Sequence, residues 1–232
     1  METSSLQVPY VLSVLILNLH NKPIHPLYLS PAGYVVTMAP PQSYLDIDSP
    51  KFSRLVNLTD DSRGWQRASD FSYYGRNVYA YLLAKYGDYI DLISMQFYES
   101  YARSVQAVVV DGMSASSYLV DYVTRSANLP SESFRVDFST DPSVGLPPTD
   151  VKFPLSKLVL GFANGWAAPH DTKKQNEKVF FASATDIEAA WDRLKSSNQE
   201  FLPRGLMYWT INEEGLNDVH FARDLGNIIN RT

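Results

Sequence analysis

A phenol, an amide and a carboxylate follow one another within four residues of this chain, directly after an apolar run. The stretch Asp88–Tyr101 (DYIDLISMQFYESY) is apolar through Ile90, Leu92, Ile93 and Met95, then turns polar and aromatic at Gln96, Phe97, Tyr98, Glu99 and Tyr101. Tyr98 beside Gln96 at a strand end can donate a hydrogen bond to a polar ligand. A run rich in β-branched and large residues reads as a strand buried on both faces of a parallel sheet. In such sheets chemistry gathers where strands end at their carboxyl side, so the switch from apolar to polar marks a candidate site. The plainer alternative is a core strand followed by an ordinary loop.

Other chemistries are disfavoured by what the 232 residues contain. Cysteine is absent, which removes disulfides, thiolate zinc sites and thiol nucleophiles. The four histidines, His20, His25, His170 and His220, are scattered without metal-binding spacing. No GxGxxG, GxxxxGK[ST] or GxSxG pattern occurs after a predicted strand, which disfavours dinucleotide, P-loop and nucleophile-elbow sites. A net charge of −5 argues against nucleic acid and polybasic membrane-surface partners. With 45% hydrophobic residues, the chain can bury a substantial core as one large domain or two small ones.

Four strand–helix units position the candidate residues. Gly33–Met38 reads as a strand stopped by Ala39-Pro40-Pro41, and Tyr74–Tyr86 as an amphipathic helix ending at Gly87. After the central strand, Ser114–Ala127 reads as a helix with serine to cap it, followed by a proline-rich connection at Ser139–Pro154. Lys157–Ala163 is a third strand, ending in a loop that carries Trp166. Thr185–Ser196 is a helix with acidic residues in its first turn, Gly205–Ile211 a fourth strand, and Asn217–Ile229 a last helix. The alternation points to a parallel α/β structure. Ahead of it, Val8–Leu19 is apolar but too short for a clear membrane span; it reads as a buried segment or a degenerate signal without a basic leader. The triplets Asn57-Leu58-Thr59 and Asn230-Arg231-Thr232 are glycosylation sequons of a kind that also arises by chance.

Taken in order, GYVVTMAP, DLISMQFYE, KLVLGFA and RGLMYWTIN resemble the fifth to eighth strands of glycoside hydrolase family 18, the chitinases and their relatives. The resemblance covers about residues 30–229 and leaves residues 1–29 as a non-matching N-terminal segment. It implies an α/β fold, a partial (β/α)8 TIM barrel corresponding to strands 5–8 with their helices. It also implies a cleft for chitin or N-acetylglucosamine oligosaccharides, no cofactor, no metal and an extracellular setting. Met38, with Ala39 and Pro40, matches a position lining the cleft floor. Gln96 and Tyr98 match the sixth-strand motif whose tyrosine contacts the N-acetyl group, and Trp209 matches the eighth-strand platform under that sugar. Glu99 stands where the family usually has Asp or Asn. Core packing is the competing reading for Met38 and Trp209, and a loop anchor for Trp166.

One departure shapes the functional expectation. Family members cleave β-1,4-linked N-acetylglucosamine with the sugar's own acetamido oxygen as nucleophile, so the protein must supply a carboxylic acid. That acid belongs to a fourth-strand DxxDxDxE motif that this sequence lacks: Asp46 and Asp48 have no glutamate two positions on, and Asp60-Asp61, Asp141 and Asp150 come no closer. Three classes follow. The chain is part of a truncated chitinase, inactive alone; or a non-catalytic, lectin-like binder using Gln96, Tyr98 and Trp209; or a hydrolase with Glu99 or Glu213 as substitute acid. Four parallel strands cannot close a barrel, so the open edges call for the Val8–Leu19 segment, an upstream portion or self-association with a second copy.

Overall fold

The computed structural model describes residues 35–54, 77–98, 102–169, 179–197 and 202–230. Glu99, Val8–Leu19, Asp60-Asp61, the Asn57 sequon, most of the second sequon's triplet and three of the histidines (His20, His25 and His170) lie outside the described residues. Four strands make one parallel sheet: β1 (Thr37–Met38), β2 (Leu92–Gln96), β5 (Leu158–Ala163) and β6 (Gly205–Trp209), in the order β1-β2-β5-β6. Between β2 and β5 a second pair, β3 (Ser133–Val136) and β4 (Thr149–Lys152), forms an antiparallel sheet of its own. Helices α1 (Ala80–Tyr86), α2 (Ala115–Ala127), α3 (Ala184–Ser197) and α4 (Phe221–Asn230) alternate with the parallel strands, as the sequence rhythm predicts. Among the described residues the sheet is open, with β1 and β6 at its edges; closure into a barrel is not part of it.

Register explains which side chains reach the core. Pairings Met38↔Ile93, Ile93↔Leu158, Met95↔Leu160 and Phe162↔Tyr208 put these residues on one face, which joins the hydrophobic core. The other face of β2 carries Leu92, Ser94 and Gln96, all half-buried. The expected burial on both faces therefore fails for β2 and holds for β5, where all six residues are buried. Both strands are central in the sheet, and composition explains the difference: β2 alternates Ile93 and Met95 with Ser94 and Gln96, whereas β5 is apolar or glycine throughout.

The helices follow their apolar stripes. Tyr118, Leu119, Tyr122, Val123 and Ser126 line the buried side of α2 at helical spacing, and Ile187, Ala190, Trp191 and Leu194 do so on α3. Ser114 caps α2 by accepting from the Ser117 amide at 3.2 Å. At α3, Ser183 Oγ accepts from the Asp186 amide while the Asp186 carboxylate accepts from the Ser183 amide, both at 3.1 Å, a reciprocal capping box.

Several boundaries differ from expectation. The described part of the first helix begins at Ala80 and ends at Tyr86 with Gly87 as its C-cap, as expected, though Gly87 stays right-handed (φ −56°) and leads into a 3-10 turn over Gly87–Tyr89. The last helix starts at Phe221, since Gly215, Asn217 and Asp218 take positive φ in the preceding turns. Within Ser139–Pro154 the prolines mask β4, whose alternation pairs Val151 with Phe134 in the core and leaves Asp150 and Lys152 outside.

Phe97, expected at the polar end of the central strand, is fully buried and forms the hub of an aromatic cluster. Its ring meets Tyr122 edge-on at 5.0 Å and Tyr118 at 6.2 Å, and packs with Phe162 at 6.3 Å and Phe180 at 6.1 Å. Burial pushes the Tyr118 and Tyr122 phenols well above the ordinary tyrosine range. Tyr118 has compensation, because Gln42 Nε2 donates to its hydroxyl at 2.6 Å. The Tyr122 hydroxyl is buried with no hydrogen-bond partner among the described residues. Tyr122→Phe is therefore expected to stabilise the protein by about 1 kcal/mol, by removing an unpaired polar group from the core. Denaturant unfolding checks this, and a loss of stability would show that the hydroxyl is paired in solution.

Candidate functional site

β2, β5 and β6 bring Gln96, Tyr98, Trp166 and Trp209 to one end of the sheet, their carboxyl end. The β2 end comes first. Pro41 bridges to Gln96, and the Gln96 side-chain amide donates to the Ala39 carbonyl at 2.8 Å, tying the exit of β1 to that of β2. Tyr98 follows one residue beyond the buried Phe97 and is itself 5% exposed. Its ring stands perpendicular to that of Trp166, with centroids 6.0 Å apart. Met38 lies in the core cluster, 4% exposed.

The exits of β5 and β6 are joined more densely. Asn164, fully buried at the end of β5, donates its backbone amide to the Trp209 carbonyl at 3.1 Å and its side-chain amide to the Thr210 carbonyl at 2.7 Å. In return its side-chain oxygen accepts from the Thr210 amide at 3.3 Å. The Trp166 indole N–H adds a bond of 2.9 Å to the same Trp209 carbonyl. The Trp209–Thr210 peptide is cis. Beyond it, Asn217 donates from its side chain to the Gly165 carbonyl at 2.8 Å. A Cβ at position 165 would fall 1.9 Å from the Leu216 carbonyl oxygen, so glycine is what lets the two turns touch.

These bonds hold aromatic surface in water. Trp209 is 58% exposed and Trp166 37%, with Ile211 and Leu216 exposed beside them in sequence. A large indole left that open at a strand end lies outside the core of the described residues. Its ring offers a flat apolar face, and the hydrogen bonds to the Trp209 carbonyl fix the backbone that carries it. Gln96 at the end of β2, and Tyr98 just beyond it, supply polar atoms on the far side of β5.

The acids are arranged differently. Asp46 is buried, 1% exposed, and accepts from Arg103 Nε with both oxygens at 2.9 and 3.0 Å, and from the Asp48 amide at 3.1 Å. Asp48 pairs in turn with Arg125, which also binds Asp121 at 3.0 Å. Asp141 pairs with Arg54 at 2.7 Å, whose hydrogen bond holds the carboxyl below its ordinary range, and Asp150 pairs with Arg135 at 3.2 Å. Such pairing fits carboxylates that hold loops and surfaces together. Glu213 sits in the 3-10 turn Ile211–Glu213 just after β6, half-buried. Glu214 accepts from the Ala222 amide at 3.0 Å, at the start of α4. Among the described residues no three of His, Asp and Glu converge as a metal site, and no helix is long and apolar enough to cross a membrane.

Sequence reasoning missed Asn164 and the Asp46–Arg103 pair. An asparagine directly after a fully apolar strand is the signal for the first: its side chain must satisfy backbone groups where the sheet ends. Nothing in the local sequence signals the second, because Asp46 and Arg103 are joined by the fold alone.

The fold is an α/β arrangement with a parallel sheet and flanking helices. No family model and no curated protein matches the chain. Solved structures do match. A family GH18 chitinase from Chromobacterium violaceum is 18% identical with a TM-score of 0.49, over 87% of this chain and 47% of that one. A GH18 chitinase from Pseudoalteromonas aurantia is 15% identical with a TM-score of 0.42, over 84% of this chain and 46% of that one. The likeness is one of fold, and the chain spans less than half the length of either structure.

Proposed function

We propose that this chain is a chitinase-like carbohydrate binder that takes β-1,4-linked N-acetylglucosamine oligomers at the carboxyl end of its parallel sheet. One observation carries the reading: Trp209 is held by its backbone yet more than half exposed, beside Trp166 and the Tyr98–Gln96 pair. A pyranose ring presents an apolar C–H face to such an indole, while its substituents hydrogen-bond to a phenol and an amide. By the family resemblance the floor falls to Met38 and the rim to Glu99; Met38 is buried in the core cluster, and Glu99 lies outside the described residues. In family terms the four strands correspond to the fifth to eighth of a barrel.

Hydrolysis is a separate matter. The DxxDxDxE acid is absent from the sequence, and the described aspartates named above are engaged with arginines. The chain therefore binds without cutting. Its parent activity, if the chain is one part of a chitinase, needs the strand that bears the acid.

Trp209→Ala tests the platform. Removing a binding-centre tryptophan costs about 2 kcal/mol, a loss of roughly 30-fold in affinity. Little change in melting temperature is expected, because the ring is exposed. Isothermal titration with N-acetylglucosamine tetramer reads the effect; unchanged affinity would remove Trp209 from the site. Incubation of the same oligomer with the wild-type chain should leave it intact.

A further inference from the structure

Trp166 has a double engagement that the binding reading does not use. Its indole N–H donates to the Trp209 carbonyl at 2.9 Å, and its ring meets Tyr98 edge-on at 6.0 Å, with an interplanar angle of 90°. It thus touches both residues to which the sugar-contacting roles fall, one on each side of β5. Its turn, Gly165–Ala167, is fixed to the turn Leu216–Asp218 by Asn217 and by the close approach at Gly165. The turn behind the indole is therefore anchored, and its one N–H is spent on a backbone carbonyl instead of a ligand.

We propose that Trp166 is a positioning residue: it sets the Trp209 platform and the Tyr98 phenol relative to each other before any ligand arrives. This rests on the reading that Trp209 and Tyr98 contact the sugar. The physical reason is preorganisation. A site whose donors and faces are already placed loses less conformational freedom on binding. A phenylalanine at position 166 keeps an edge contact for Tyr98 and deletes the N–H. Its expected effect on tetramer affinity is about tenfold, the factor that one hydrogen bond of ordinary net strength carries.

The test combines binding with a signature that plain destabilisation does not produce. Trp166→Phe in the full chain is titrated with N-acetylglucosamine tetramer, and the indole N–H resonances are followed by two-dimensional NMR without ligand. Weaker binding together with a shifted or broadened Trp209 indole resonance supports positioning. Weaker binding with an unmoved Trp209 resonance overturns it, since Trp166 would then act by touching the ligand itself. Unchanged affinity and an unmoved resonance overturn it as well. A wild-type chain that binds no tetramer, but whose Trp209 resonance still moves in Trp166→Phe, upholds the coupling and removes the carbohydrate reading. Should Trp166→Phe fail to fold, solvent exchange of the wild-type Trp166 indole N–H decides: slow exchange supports the bond to the Trp209 carbonyl, and free exchange overturns it.

Discussion

Phe97→Ala is expected to lower stability by about 4 kcal/mol, the middle of the range for emptying a core of one aromatic ring. The ring is fully buried and packs against Tyr118, Tyr122, Phe162 and Phe180, which come from α2, from β5 and from the segment before α3. The sheet and α2, which supply most of these neighbours, are each held by the rest of the core and cannot easily collapse into the space it leaves. In a chain of this length the loss amounts to a fall of roughly 10 °C in melting temperature. Calorimetry or circular dichroism reads it directly. A fall of under about 2 °C would mean that Phe97 is not at the hub of the core.

Arg103→Ala is expected to cost about 3 kcal/mol through a different mechanism. Asp46 is 1% exposed and meets the guanidinium with both oxygens, so deletion of the arginine strands a buried charge. The figure stands at the low end for a broken buried pair, because the Arg103 side chain is itself 34% exposed and water can enter in its place. Gln42 adds to the same junction, accepting from the Ser104 amide at 3.0 Å while it donates to Tyr118. These contacts fasten the segment after β1 to the segment after β2, and so fix the wall beside the Gln96 end of the site. Asp46→Asn in the Arg103→Ala background should restore part of the loss, since it removes the unpaired charge. If the double variant is no more stable than Arg103→Ala, charge burial is not the cause.

How far the sequence could be read depended on whether the signal was local. Strand order and helix positions came from hydrophobic periodicity, and β2, β5, β6 and the helices α2 and α3 lie within a few residues of expectation. The hairpin β3–β4 was hidden because its strands are four residues each and its connection is rich in proline, which reads as loop. Trp209 and Trp166 stand exposed at the strand ends, whereas Phe97, grouped in the sequence with its polar neighbours, belongs to the core. Alternation along a strand decides that case: Phe97 points to the core, continuing Ile93 and Met95 on the same face. Asp46 illustrates the opposite limit. Its partner lies 57 residues away, and no spacing rule links the two.

The proposed function is binding of N-acetylglucosamine oligomers on a preformed aromatic face. Its most direct test is a thermal melt of the full purified chain with and without N-acetylglucosamine tetramer, backed by the same melt of Trp209→Ala. The account predicts a cooperative transition that rises with tetramer in the wild type, by mass action on the native state, and stays put in the variant. A cooperative transition that tetramer leaves unmoved at millimolar concentration in the wild type would contradict it.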